Sequence, residues 1–135
     1  MGSLLLAICS LVHITLLVRT IGFLKTFGIR LSNSFKKEIL ILIAFTAVVA
    51  AHTVQVWLWA FSLVLLGAFN SIADAVYFSL VTYTTLGYGD VTLNEGVRIF
   101  GAMAAVTGLL NFGLSTAFLV GVFTRLIGEY PQSNG

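Results

Sequence analysis

The chain has 135 residues, 59% of them hydrophobic and only 9% charged, with a formal net charge of +2. Soluble domains carry about 25% charged residues, so this is the composition of an integral membrane protein, and the small net charge gives no reason to expect a nucleic-acid partner. One cysteine excludes a disulfide framework within the chain, and no catalytic constellation stands out, so the chain reads as a non-enzyme.

Three apolar segments are long enough to span a bilayer, which takes ~20 residues. The first runs from Leu4 to Phe23. Met1-Gly2-Ser3 carries no positive charge and no small-residue cleavage site follows, so the segment reads as retained rather than as a signal peptide. The linker Leu24 to Glu38 holds Lys25, Arg30, Lys36 and Lys37 against Glu38 alone. Positive residues mark short cytoplasmic loops, which puts the N-terminus outside and the linker inside. The second segment, Ile39 to Phe69, runs outward. The third, Val97 to Ile127, returns and ends near Arg125, leaving the C-terminus cytoplasmic. The last two exceed the minimum and are expected to tilt or project into water. The expected organisation is an extra N-terminal helix with its basic linker (1–38), a central unit (39–127) and a polar tail (128–135).

The outer stretch, Asn70 to Gly96, contains Asp74, Asp90 and Glu95 but is too apolar to be a plain loop. Ser71-Ile72-Ala73-Asp74 reads as a capping box that starts a helix over Ile72 to Thr84. At roughly 1.5 Å per residue such a helix covers about 20 Å, too short to cross. A Gly-rich run follows it, Thr84-Thr85-Leu86-Gly87-Tyr88-Gly89-Asp90. Irregular backbone cannot face lipid, because each unsatisfied polar group there costs several kcal/mol. The short helix and its return are therefore expected to form a re-entrant loop, shielded by protein or lining a water-filled path.

The run resembles the potassium-channel filter Thr-Val-Gly-Tyr-Gly, with Leu86 in the Val place. The resemblance implies that the carbonyls of Thr85, Leu86, Gly87 and Tyr88, with the Thr85 hydroxyl, bind permeant K+; Gly89 completes the filter. Gly87 and Gly89 adopt left-handed backbone without steric penalty, which lets successive carbonyls face one side. Leu86 is expected to point away from the ion and to change the packing behind the filter. Thr84, Asp90, Tyr77, Phe78 and Val81 fall at filter-supporting positions. Many relatives have an aromatic N–H bonding the carboxylate at Asp90; here the Tyr77 hydroxyl can replace one donor and Phe78 cannot.

The third segment supports the resemblance. Thr107-Gly108-Leu109-Leu110-Asn111-Phe112-Gly113 is similar to the inner helix of pore-loop channels, with Gly108 at the hinge position. Close packing through Gly101, Ala104, Ala105 and Gly108 accounts for the same residues equally well. Leu109, Phe112 and Thr116 match cavity-facing positions, and Val120 and Thr124 match the inner gate. Close resemblance covers Ser71 to Arg125. The first helix has no match in the simplest two-helix channels, and with Arg19 as its only basic residue it is not a voltage sensor. The family indicated is that of small bacterial potassium channels with an extra N-terminal helix.

His13 and His52 share a membrane depth, and Cys9 lies one turn from His13. The favoured reading is a pair of neutral imidazoles hydrogen-bonded between helices, with Gln55 as a partner. A soft metal site or a pH sensor is the alternative. Trp57 and Trp59 lie too deep for an aromatic belt and read as packing. Taken together, the expectation is an all-α membrane protein with three transmembrane helices, a re-entrant pore helix and a filter, closed as a fourfold homotetramer in the cell membrane. Its expected activity is passive potassium conduction through the lipid bilayer, with no organic cofactor and an unidentified regulatory partner. A non-conducting subunit of a larger assembly, a weakly selective cation channel and a four-loop transporter are the rival readings.

Overall fold

The computed structural model describes residues 1–28 and 34–127. Arg30 of the basic linker and the polar tail 128–135 lie outside the described residues. Among the described residues there are four helices and no strands: α1 (Gly2–Gly28), α2 (Ser34–Leu65), α3 (Ile72–Tyr83) and α4 (Glu95–Ile127). Three of them, α1, α2 and α4, are long and apolar enough to cross a membrane. Most of each span is exposed in the single chain, as helices that present apolar side chains to lipid require.

The three long helices form one packed group. His13 bonds Ser115, and Gly2 lies against Met103 at almost the same offset in sequence, so α1 runs parallel to α4. α2 runs antiparallel to both, pairing Gln55 with His13 and with Asn111. The buried faces follow helical spacing: Cys9, His13 and Leu17 on α1; Ala44, Val48 and Ala51 leading to Gln55 on α2; Ala104, Thr107, Asn111 and Ser115 on α4. The core cluster joins Cys9, Val56, Trp59, Tyr83 and Ala104.

α2 begins five residues before the expected Ile39 and stops four before the expected Phe69. The early stop has a local cause. Gly67 N–H bonds the Val64 carbonyl and Ala68 N–H bonds the Leu63 carbonyl, the paired closure of a Schellman turn. α3 has the expected start: Ser71 is its N-cap and accepts from the Asp74 N–H. It ends at Tyr83, with Thr84 as the C-cap rather than the last helical residue. Twelve residues cover about 18 Å at the helical rise. The chain enters from α2, runs along α3 between α2 and α4, and returns through 84–94 to the start of α4.

Gly108 is where the end of α3 meets α4. A Cβ placed there would overlap the Tyr83 carbonyl, so the two backbones are in direct contact. At Gly113, one and a half turns on, a Cβ would meet nothing. Gly108→Ala is expected to lower stability by about 1–3 kcal/mol, the usual cost of forced overpacking. Gly113→Ala is expected to leave stability unchanged or higher, since alanine favours helix. Thermal unfolding of the detergent-purified protein, followed by tryptophan fluorescence, reads both.

Candidate functional site

The Gly-rich run folds back onto the end of α3. Thr84 N–H and its hydroxyl both bond the Leu80 carbonyl, at 3.0 and 2.8 Å. Thr85 N–H bonds Thr82 O at 2.9 Å; Leu86 and Gly87 N–H both reach Val81 O, at 2.9 and 3.2 Å. The Leu80, Val81 and Thr82 carbonyls of α3 are therefore satisfied by the turn that follows. Thr85, Gly87 and Gly89 have φ of 60°, 57° and 76°. Every second residue of the run is left-handed. The glycines take this backbone freely, whereas Thr85 holds it at a cost of roughly 1–2 kcal/mol. The intervening Leu86 and Tyr88 leave their side chains exposed in the single chain.

Behind the turn lies a cavity of about 390 Å³, walled by Tyr77, Phe78, Val81, Gly87 and Asp90 among others. The Tyr77 hydroxyl donates to Asp90 Oδ2 at 2.5 Å, and Asp90 Oδ1 accepts from the Val91 N–H at 3.1 Å. One carboxylate thus ties α3 to the far end of the turn. The hydrogen bond to Asp90 raises the Tyr77 phenol above its ordinary value. The neutral phenol is the form the fold favours, so this tie is present below the ordinary tyrosine range and is lost as pH rises through the raised value. Phe78 makes no hydrogen bond and instead packs on Phe69, centroids 5.5 Å apart. Val81 is buried.

Beneath the turn, side chains from all four helices meet in a polar cluster. Gln55 Nε2 lies 2.7 Å from His13 Nδ1, and His13 Nε2 lies 2.9 Å from Ser115 Oγ. Ser115 Oγ is also 3.0 Å from His52 Nε2, and His52 Nδ1 is 2.8 Å from the Tyr83 hydroxyl. That hydroxyl donates to Gln55 Oε1 at 2.9 Å, and Asn111 Nδ2 donates to the same oxygen. His13 and His52 are thus interhelical hydrogen-bonding residues, joined through Ser115, with Gln55 as a partner of His13. The metal alternative fails on geometry. Each imidazole nitrogen already faces a partner, Cys9 packs in the apolar cluster, and no group of three or more metal-ligating side chains occurs among the described residues.

Tyr83, Asn111 and Ser115 were not singled out as polar partners in the sequence. A signal existed: Thr107, Asn111 and Ser115 recur every fourth residue on a mostly apolar helix, and all three are buried. Trp59 is fully buried, whereas Trp57 is partly exposed and packs on Phe61.

On α4, Leu109, Thr116, Val120 and Thr124 lie on exposed positions at helical spacing. Phe112 is partly exposed on the same side, but its ring also stacks on His52 at 4.4 Å and meets Tyr83 edge-on at 5.6 Å. It closes the polar cluster from that side. Gly108, one turn before Phe112, lies directly against the Tyr83 carbonyl, which makes it a packing position in this structure.

A family model described as an ion channel matches residues 38–125. The potassium voltage-gated channel subfamily A member 5 proteins of Oryctolagus cuniculus, Rattus norvegicus and Homo sapiens are 39% identical to this chain over 56 residues. The aligned stretch is 41% of this chain and 9% of each of those proteins, so this chain spans less than a tenth of their length. No solved structure matches.

Tyr77→Phe keeps the ring and removes the tie to Asp90. Hydrogen exchange at the amides of Gly87 to Val91 is expected to rise several-fold, because one support of the turn is gone, while exchange within α3 stays unchanged. Exchange mass spectrometry of the purified protein checks this.

Proposed function

This chain belongs to the pore-loop ion-channel family, and we propose that it is a potassium-selective member that conducts as a homotetramer. In this reading α3 is the re-entrant pore helix and 84–90 the selectivity filter. The carbonyls of Thr85, Leu86, Gly87 and Tyr88, with the Thr85 hydroxyl, replace the water around K+. One turn per chain cannot close a ring, and cyclic fourfold symmetry is the simplest closure. The observation that carries the reading is the left-handed backbone at Thr85, Gly87 and Gly89 in alternation, within the sequence that resembles the potassium filter.

The remaining parts fit the same arrangement. The C-terminus of α3, at Tyr83 and Thr84, directs the negative end of its dipole toward the central cavity of the tetramer and favours a cation there. The exposed face of α4 supplies a cavity wall from Leu109, Phe112 and Thr116, and an inner constriction from Val120 and Thr124. Asp90, held by Tyr77, sets the outer end of the filter. Thr84, Phe78 and Val81 pack behind it. The basic linker faces the cytoplasm, with the N-terminus outside and the C-terminus inside. The permeant ion is the ligand; conduction is passive and calls for no organic cofactor.

The test is ion flux through the purified chain in liposomes. Potassium flux well above sodium flux, blocked by barium, is the expected result. Equal fluxes would overturn the selectivity, and absence of any flux would overturn the self-sufficient homotetramer. Gly87→Ala is expected to abolish conduction, because alanine resists the left-handed backbone that Gly87 holds. Undiminished currents from that variant would remove Gly87 from the filter.

A further inference from the structure

The polar cluster below the turn has a direction. The Gln55 amide is pinned: its Nε2 donates to the Ala51 carbonyl at 3.2 Å as well as facing His13, and its Oε1 accepts from Tyr83 and Asn111. Turning the amide over would set its oxygen against the Ala51 carbonyl, an acceptor facing an acceptor, and this contact gives the cluster its direction. With Gln55 fixed, each remaining proton has one place. Gln55 donates to His13 Nδ1, so the His13 proton is on Nε2 and goes to Ser115 Oγ. The Ser115 hydroxyl then donates to His52 Nε2. The His52 proton is on Nδ1 and goes to the Tyr83 oxygen. Tyr83 donates to Gln55 and closes the cycle. Five side chains each give one proton to the next and receive one from the last, and the circuit passes through α1, α2, α3 and α4. Hydrogen bonds aligned head to tail in this way polarise and strengthen one another.

The circuit reaches the filter at its base. Tyr83 is the last residue of α3, its hydroxyl is held by the circuit, and its carbonyl rests on Gly108. Thr84 and the left-handed Thr85 follow directly. His13 stands on α1, outside the residues that match the ion-channel family, while the other four members fall within them. We propose that His13 is a positioning residue for ion selection. By completing the circuit, it makes α1 part of the pore and fixes the Tyr83 end of the pore helix on which the filter stands. This rests on the filter reading above. His13 touches no ion and acts through Gln55, Ser115, His52 and Tyr83.

Two measurements test it. The first is spectroscopic: ¹⁵N NMR of the histidine-labelled protein in lipid. Both imidazoles are expected to be neutral, His13 protonated on Nε2 and His52 on Nδ1. A charged imidazole, or any other pair of tautomers, overturns the directed circuit whatever the channel conducts.

The second is the potassium-to-sodium permeability ratio from reversal potentials in planar bilayers. His13→Phe, Tyr83→Phe and Ser115→Ala are each expected to lower the ratio roughly tenfold, the scale of one lost buried hydrogen bond. The double variant His13→Phe/Tyr83→Phe is expected to be no worse than either single, because one cut opens the whole circuit. Ser115→Thr keeps the hydroxyl and is expected to retain the wild-type ratio, which a purely space-filling role for Ser115 would not predict. Should His13→Phe fail to assemble, Ser115→Ala removes the same link with a smaller change. Unchanged ratios in the single variants, or additive losses in the double, overturn the proposal while leaving a selective wild type intact. A wild type without potassium preference overturns the filter reading and this proposal together.

Discussion

Tyr83 is held at both ends, and the arrangement of the other helices follows from that. Its hydroxyl lies between His52 and Gln55, and its carbonyl sits against Gly108 where no larger residue fits. The first contact ties α3 to α2, and through Gln55 to α1; the second brings α3 into backbone contact with α4. A twelve-residue helix makes too few turns to be stable alone. Fixing its last residue on three neighbours is what gives the following turn a defined starting point.

Water would weaken such an arrangement, and its absence strengthens it. Between helices in lipid there is little hydrophobic attraction, since the acyl chains are as apolar as the side chains they would replace. Association falls to close packing and to polar groups that find no better partner. Both devices converge on one level of this protein: Gly108 for close approach, and His13, His52, Gln55, Asn111 and Ser115 for hydrogen bonding. The rest of each long helix is apolar, much of it unpaired within the chain. On α1, His13 is the buried side chain that makes polar contacts to both α2 and α4.

Much of this was legible in the sequence, and the reasons differ by residue. The three spans follow from hydropathy. Ser71 with Asp74 announced the start of α3, because capping is a contest among four adjacent residues and needs nothing distant. The end of α2 was misplaced by four residues, since hydropathy continues through Phe69 and only the backbone reversal at Gly67 stops the helix. The pairing of His13, His52 and Gln55 was readable as polar groups at one depth. Their partners Tyr83 and Ser115 were not, because a tyrosine or serine on an apolar helix has several harmless outlets, including its own backbone. The left-handed Thr85 was hidden for a different reason. Threonine disfavours that conformation, and only the glycines advertise it.

Thr85 carries the last step. A residue held in left-handed backbone against its preference persists only where its surroundings over-determine it. Within the chain that support comes from below. Thr85 N–H bonds Thr82 O, the next two N–H groups share the Val81 carbonyl, and Tyr83 is clamped just upstream. On the other side, Leu86 and Tyr88 have little to rest on in the single chain. A turn supported on one face and bare on the other is incomplete as a rigid object. In the tetrameric reading, the bare face is where neighbouring copies pack, and strain at Thr85 is shared among four turns that brace one another. The same logic separates the two kinds of support. The Tyr77–Asp90 tie stands at the exposed outer end of the turn, where water competes for it, whereas the Tyr83 clamp lies among buried groups. Loss of the first loosens the mouth of the turn; loss of the second moves its foundation.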